Sequence, residues 1–66
     1  MKWILYFHPE SDCLFWSKGD MYEHCTEIGE SDTRTKDDAR KLYGDFLLKS
    51  GIMINEHLFN MVYHRE

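Results

Sequence analysis

Residues 35–51, TKDDARKLYGDFLLKSG, predict an amphipathic helix, and the rest of the fold can be worked out around it. Thr35 is a good N-cap, and the two aspartates that follow suit the positive end of the helix dipole. Gly51 is placed to end the helix. Gly44 costs about 1 kcal/mol relative to alanine in mid-helix, so either another segment approaches closely there or the glycine is a tolerated surface residue. One apolar stripe faces the core: Ala39, Leu42, Tyr43, Phe46 and Leu47.

Three short strands are predicted before this helix. KWILYF (residues 2–7) and CLFWS (13–17) are apolar and aromatic, and MYEHCTEI (21–28) suits a third strand. Polar segments with turn-forming residues follow the strands: HPESD, KGD and GESDTR. Because these connections are short, the sequence predicts a small three-stranded antiparallel β-meander.

The C-terminal segment, residues 52–66, has two readings. In the first, Asn55 caps a second helix; in the second, residues 57–63 add a fourth strand to the sheet. We favour the helix because Met, Leu and Glu are helix formers. That helix directs four side chains inward: Leu58, Phe59, Met61 and Val62. The whole chain, residues 1–66, is then one α+β domain, and its order of elements resembles the small, partial double-stranded-RNA-binding-like folds of antitoxin type.

The composition narrows the class of partner. A 66-residue domain buries only about 60% of the surface of its unfolded chain, so dense packing, a metal, a disulfide or a second copy has to help. The net charge of −4 argues against direct nucleic-acid binding, which needs a basic face. No apolar run approaches the ~20 residues of a membrane span, and the N-terminal run is too short for a signal peptide. We therefore expect a cytoplasmic protein with both cysteines reduced.

The motifs favour neither a metal site nor an enzyme. There is no C-x-x-C or H-x-x-x-H spacing, and His24 and Cys25 are neighbours that point to opposite faces of a strand. A reactive cysteine needs electropositive surroundings, whereas Cys25 stands among glutamates. No nucleophile elbow or phosphate-binding glycine loop is present. We predict a non-enzymatic protein without metal or cofactor.

Residues 20–38 carry the negative charge of the chain. Seven acidic side chains stand against two basic ones in this segment, for a local charge of −5. One interpretation is a solvated sheet edge followed by a helix N-terminus, where acids are common. The other is an acidic face that docks on a basic groove and places carboxylates where phosphates normally bind.

The aromatic residues of the first two strands point to both faces of the sheet. Helices on one face would leave the other face wet, with Tyr6, Trp16 and Tyr22 exposed on it. Trp and Tyr dominate interaction hot spots, so such a set indicates a binding or dimer surface. The alternative is that the C-terminal segment covers this second face.

Small size, acidity, surplus aromatics and absent catalytic motifs resemble the short inhibitors that phages and mobile elements use against host machinery, including anti-CRISPR proteins. This resemblance implies a non-enzymatic protein of the host cytoplasm that occludes a basic, nucleic-acid-binding surface of a larger protein. The residues predicted to make the contact are Tyr6, Trp16, Tyr22, Glu23, Glu27, Glu30 and Asp32. Two alternatives stay open: an antitoxin-like or regulatory module that forms a homodimer through its sheet, and a zinc-stabilised mini-domain.

Overall fold

The computed structural model describes residues 2–18 and 22–63 and contains a three-stranded antiparallel sheet followed by two helices. The elements are β1 (Trp3–His8), β2 (Cys13–Ser17), β3 (Thr26–Ser31), α1 (Lys36–Leu48) and α2 (Glu56–Val62). The α+β class is confirmed, and the C-terminal segment contains a second helix rather than a fourth strand.

The strand order is β2-β1-β3, whereas a meander would place β2 in the centre. β1 is apolar on both faces and takes the central place, where a strand has neighbours on both sides. β3 carries two glutamates and lies at an edge, where charged side chains remain in water. Both edge strands run antiparallel to β1, so the chain has to cross β1 between residues 17 and 26.

The third strand was predicted at residues 21–28 but lies at Thr26–Ser31. Residue 21 is outside the described part of the chain, and Tyr22 and Cys25 form a turn closed by a backbone hydrogen bond of 3.3 Å. Gly29, predicted to begin a turn, pairs instead with Leu5 inside the sheet. A Cβ on Gly29 would stand 2.9 Å from the Cδ2 atom of Leu42, so the missing side chain lets α1 lie close to β3.

The core lies between the sheet and the two helices. Leu5 and Leu14 of the sheet are fully buried against Ala39 of α1 and Phe59 of α2. Partly buried side chains surround this centre: Phe7, Trp16, Ile28, Leu42, Tyr43, Ile54 and Val62. The helices therefore cover one face of the sheet, as expected from the sequence.

α1 has the predicted boundaries and the predicted inward stripe. The Thr35 hydroxyl accepts a hydrogen bond from the backbone N–H of Asp38 at 3.2 Å and caps the first turn. Gly51 has a φ of +76°, which glycine adopts without strain. The N–H groups of Gly51 and Ile52 donate to the carbonyls of Leu48 and Leu47, which is the hydrogen-bond pair of a Schellman motif.

α2 begins as predicted, but only part of its apolar surface is inward. The Asn55 side chain accepts hydrogen bonds from the first turn, and Phe59 is fully buried. Leu58 and Met61, predicted to point inward, are 59% and 60% exposed. A two-turn helix presents one face to the sheet, and Phe59 with Tyr63, four residues further on, occupies that face. The prediction was therefore wrong for Leu58 and Met61.

Candidate functional site

On the face of the sheet opposite the helices, Tyr22 packs over aromatic rings of β1 and β2, while the described C-terminal residues that reach the core do so on the helix side. Tyr22 packs edge-on against Tyr6 and Phe15, with ring centroids 5.2 Å and 5.1 Å away. Tyr6 is consequently buried, while Tyr22 remains 39% exposed. The prediction that Tyr6 is exposed on this face was wrong, because the ring of Tyr22 packs against it.

A groove of about 220 Å³ runs beside Tyr22, and we call it the acid groove. Its lining residues are Tyr6, Tyr22, Glu23, Cys25 and Glu27. Four of the seven predicted contact residues line the groove, and one of them, Glu27, pairs directly with Tyr6 in the register of β1 and β3. The groove thus has an aromatic floor and a carboxylate rim.

A β-bulge brings a further glutamate to the same face as the acid groove. Leu5 pairs with Gly29 and Tyr6 pairs with Glu27, so Ile28 is the extra residue of β3. Glu30 pairs with Ile4, which shares a sheet face with Tyr6. Glu27 and Glu30 therefore lie on one face although they are three residues apart, a spacing that regular alternation would split.

The acidic residues predicted to make the contact differ in their partners. Glu30 pairs with Lys2 at 3.3 Å, and both side chains are more than half exposed. In the part of the chain that the structure describes, Glu23, Glu27 and Asp32 are exposed and form no ion pair. The Arg34 guanidinium lies over the Trp3 ring, 4.7 Å from its centroid, and does not neutralise these acids.

Trp16 lies apart from the other predicted contact residues. It pairs with Leu5, so its side chain is on the helix face of the sheet, where it is half-buried. Its indole N–H donates to the Tyr63 hydroxyl oxygen at 3.3 Å. Trp16 therefore packs against the core and joins the sheet to the end of α2, while Tyr6 and Tyr22 lie on the opposite face.

Asp38 is an acid with a structural role at the start of α1. The hydroxyls of Thr33 and Ser31 donate hydrogen bonds to its carboxylate. These bonds, with that of Thr33 contributing most, hold the pKa of Asp38 below its ordinary value. Asp38 thus fixes the turn between β3 and α1, and the sequence had indicated only its place near the helix N-terminus.

A larger, apolar groove lies between α1, residues 52–55 and α2, and it was not predicted from the sequence. We call this concavity of about 550 Å³ the helical groove. Its most exposed apolar side chains are Ile52 (50%), Met53 (83%), Leu58 (59%) and Met61 (60%). The signal available in the sequence was the density of apolar residues in α2, which exceeds what one inward face of two turns can bury.

The β1–β2 turn connects a thiol, a hydroxyl and an imidazole. The Ser11 Oγ atom lies 3.1 Å from the Cys13 Sγ atom and 2.9 Å from the His8 Nδ1 atom. The Ser11 backbone N–H also donates to His8 Nδ1 at 3.3 Å, which makes this nitrogen an acceptor. The contacts order an exposed turn in which Asp12 has a φ of +50°.

Within residues 2–18 and 22–63, no three His, Cys, Asp or Glu side chains come together in a way that suits a metal ion. Both cysteines are free thiols and half-buried. Among the same described residues, neither helix has the length and apolar character that a membrane crossing requires.

Comparisons with protein-family models, with curated proteins and with solved structures found no match to this chain. Its function is therefore argued from the chemistry of its own two grooves.

Proposed function

We propose that this chain is a small, non-enzymatic inhibitor that binds a larger protein through the acid groove and covers a basic, nucleic-acid-binding surface. The observation that supports the proposal is the position of Tyr22, which is 39% exposed, in the same groove as Glu23 and Glu27. These two glutamates form no ion pair among the described residues. The two free thiols suit a reducing compartment, so we place this action in the cytoplasm.

The carboxylates of this face suit arginine and lysine side chains that otherwise hold phosphates. Glu27 and Glu30 lie on a hydrogen-bonded strand, so little backbone freedom is lost when a partner binds. Hydrogen bonds between guanidinium and carboxylate groups are charge-assisted and roughly twice as strong as neutral ones. Tyr22 adds an aromatic ring on which a guanidinium can stack.

Exposed charges of this kind act chiefly on the rate of association. Complementary potentials steer the encounter of the two proteins, and salt screens them over about 8–10 Å at physiological ionic strength. We therefore expect the complex to weaken as salt increases, with Tyr22 and its surroundings supplying the part that salt does not remove.

The test is a capture experiment with matched variants. Tagged wild-type chain, Glu23→Gln/Glu27→Gln and the control Glu10→Gln/Asp45→Asn are incubated with a nuclease-treated lysate of the natural host, and captured proteins are identified by mass spectrometry. Both variants lose two charges, but Glu10 lies in the β1–β2 turn and Asp45 on α1, away from the acid groove.

The proposal expects one nucleic-acid-binding protein that is captured by the wild type and the control, is lost with Glu23→Gln/Glu27→Gln, and is released by high salt. Capture of the same partner at equal yield by all three proteins would contradict a role of the acid groove.

A regulatory module that dimerises is the second candidate function, and the exposed apolar side chains of the helical groove favour it.

A further inference from the structure

The helical groove has exposed apolar side chains at its rim and an apolar floor. Met53 is the most exposed large apolar residue of the described chain, and Leu58 and Met61 stand on the outer side of α2. The floor includes Phe7, Tyr43 and the buried Phe59. A surface of this kind is typical of a protein–protein contact in a small domain.

Met53 lies between two concavities. On one side is the helical groove; on the other is a shallower depression of about 240 Å³ that Gly44, Leu48 and Ile54 help to line. The same patch therefore offers a protruding side chain and a hollow beside it. A two-fold interface must be complementary to itself, and a projecting side chain beside a hollow on the same patch can meet this requirement.

The distribution of charge favours a second copy of the chain at this patch. Residues 39–63 carry a net charge of +1, with three basic and two acidic side chains. Residues 22–38 carry −4, with six acidic and two basic side chains. Two copies that meet through their helical grooves keep their acidic faces apart, whereas copies that meet through β3 would bring those charges together.

We propose that two copies of this chain associate about a two-fold axis through their helical grooves, with Met53 of each copy seated in the groove of the other. Leu58 and Met61 lie at the edge of the contact and lose their exposure to water. The acid groove is on the opposite face of the sheet, so it stays open in the dimer. This inference does not depend on the proposed inhibitor function.

Sedimentation equilibrium of the wild-type chain from about 2 to 500 µM tests the dimer. The proposal expects the mean mass to rise from 8.0 kDa toward twice that value, with a dissociation constant in the micromolar range. Met53→Glu should raise this constant at least tenfold, because it places a carboxylate in an apolar contact. Met53 is 83% exposed, so the thermal unfolding midpoint of the dilute variant should match that of the wild-type monomer.

Lys2→Gln is the matched control: it also lowers the net charge by one, at an exposed side chain beside β1 that does not line the helical groove. Dimerisation unchanged by Lys2→Gln and weakened by Met53→Glu supports the proposal. The opposite pattern assigns the dimer to the sheet and overturns it. A wild-type mass of 8.0 kDa across the whole range also overturns it, as does native mass spectrometry that shows a monomer with an apolar small molecule or foreign peptide bound in place of a second copy.

Discussion

The two sides of the sheet meet solvent in different ways. On the side of the acid groove, Tyr22 lies against Tyr6, and the carboxylates of Glu23 and Glu27 form the rim. On the helix side, two helices bury the core but leave a concavity with Met53 and Met61 at its edge. The first surface is shaped for charged partners and the second for apolar ones.

The difference shows how far a short chain can cover itself. Aromatic rings bury much surface per residue, so the one ring of Tyr22 contacts both Tyr6 of β1 and Phe15 of β2. α2 has only two turns, and Phe59 uses its inward face. Leu58 and Met61 therefore remain exposed to solvent. They are exposed because the helix is short, although both side chains are apolar.

Substitution of Phe59, in the core on the helix side, should have the largest effect on the free energy of unfolding. Phe59→Ala removes the largest fully buried side chain of the core and should lower the free energy of unfolding by about 3–5 kcal/mol. Leu58→Ala, the adjacent residue on the same helix, should change it by no more than about 0.5 kcal/mol. Urea unfolding followed by tryptophan fluorescence measures both; similar losses would contradict the exposed position of Leu58.

Two glycines on the helix side of the sheet should change the free energy of unfolding with opposite signs. A Cβ on Gly44 would meet Ile54 at 3.7 Å, an ordinary contact, so Gly44→Ala should raise the free energy of unfolding by about 1 kcal/mol through helix propensity. Gly29→Ala forces the Leu42 side chain to move and should lower it by about 1 kcal/mol. Thermal and urea unfolding of the two variants decide the signs, and equal signs would contradict the packing of β3 under α1.

The carboxylates of the acidic face should contribute little to folding. Glu30→Gln loses the exposed pair with Lys2 and should cost between about 0 and 1 kcal/mol. Glu27→Gln loses no ion pair among the described residues and should stay within about 0.5 kcal/mol of the wild type. A large loss from Glu27→Gln in urea unfolding would show that this carboxylate has a structural partner and is not reserved for a binding surface.

The smallest effect is expected from Asp38, and it depends on pH. Its pKa is lowered in the folded chain, so its contribution to stability is present above the unfolded value near 3.8 and is lost as pH falls through the folded value. Thr33→Val removes the main hydrogen bond that lowers the pKa. Between pH 7 and about pH 2.5, the unfolding temperature of the variant should therefore fall less than that of the wild type; an equal fall would contradict the assignment.

Local signals in the sequence were enough to predict several of the secondary-structure elements. Thr35, the apolar stripe and Gly51 defined α1, Asn55 defined the start of α2, and CLFWS matched β2 residue for residue. Each of these signals acts within a few residues, through a cap, a turn or a period of 2 or 3.6. The placement of Glu23 and Glu27 near Tyr22 followed from the same short range, since all three lie within six residues.

The way in which these elements pack together does not follow from local signals. The central place of β1, the bulge at Ile28 that sets Glu27 and Glu30 on one face, and the opposite faces of Trp16 and Tyr6 depend on pairing between distant strands. The exposure of Leu58 and Met61 depends on which side of α2 reaches the sheet. Such choices are made by competition among long-range contacts for one core, and in a chain of 66 residues that core has room for only some of the apolar side chains.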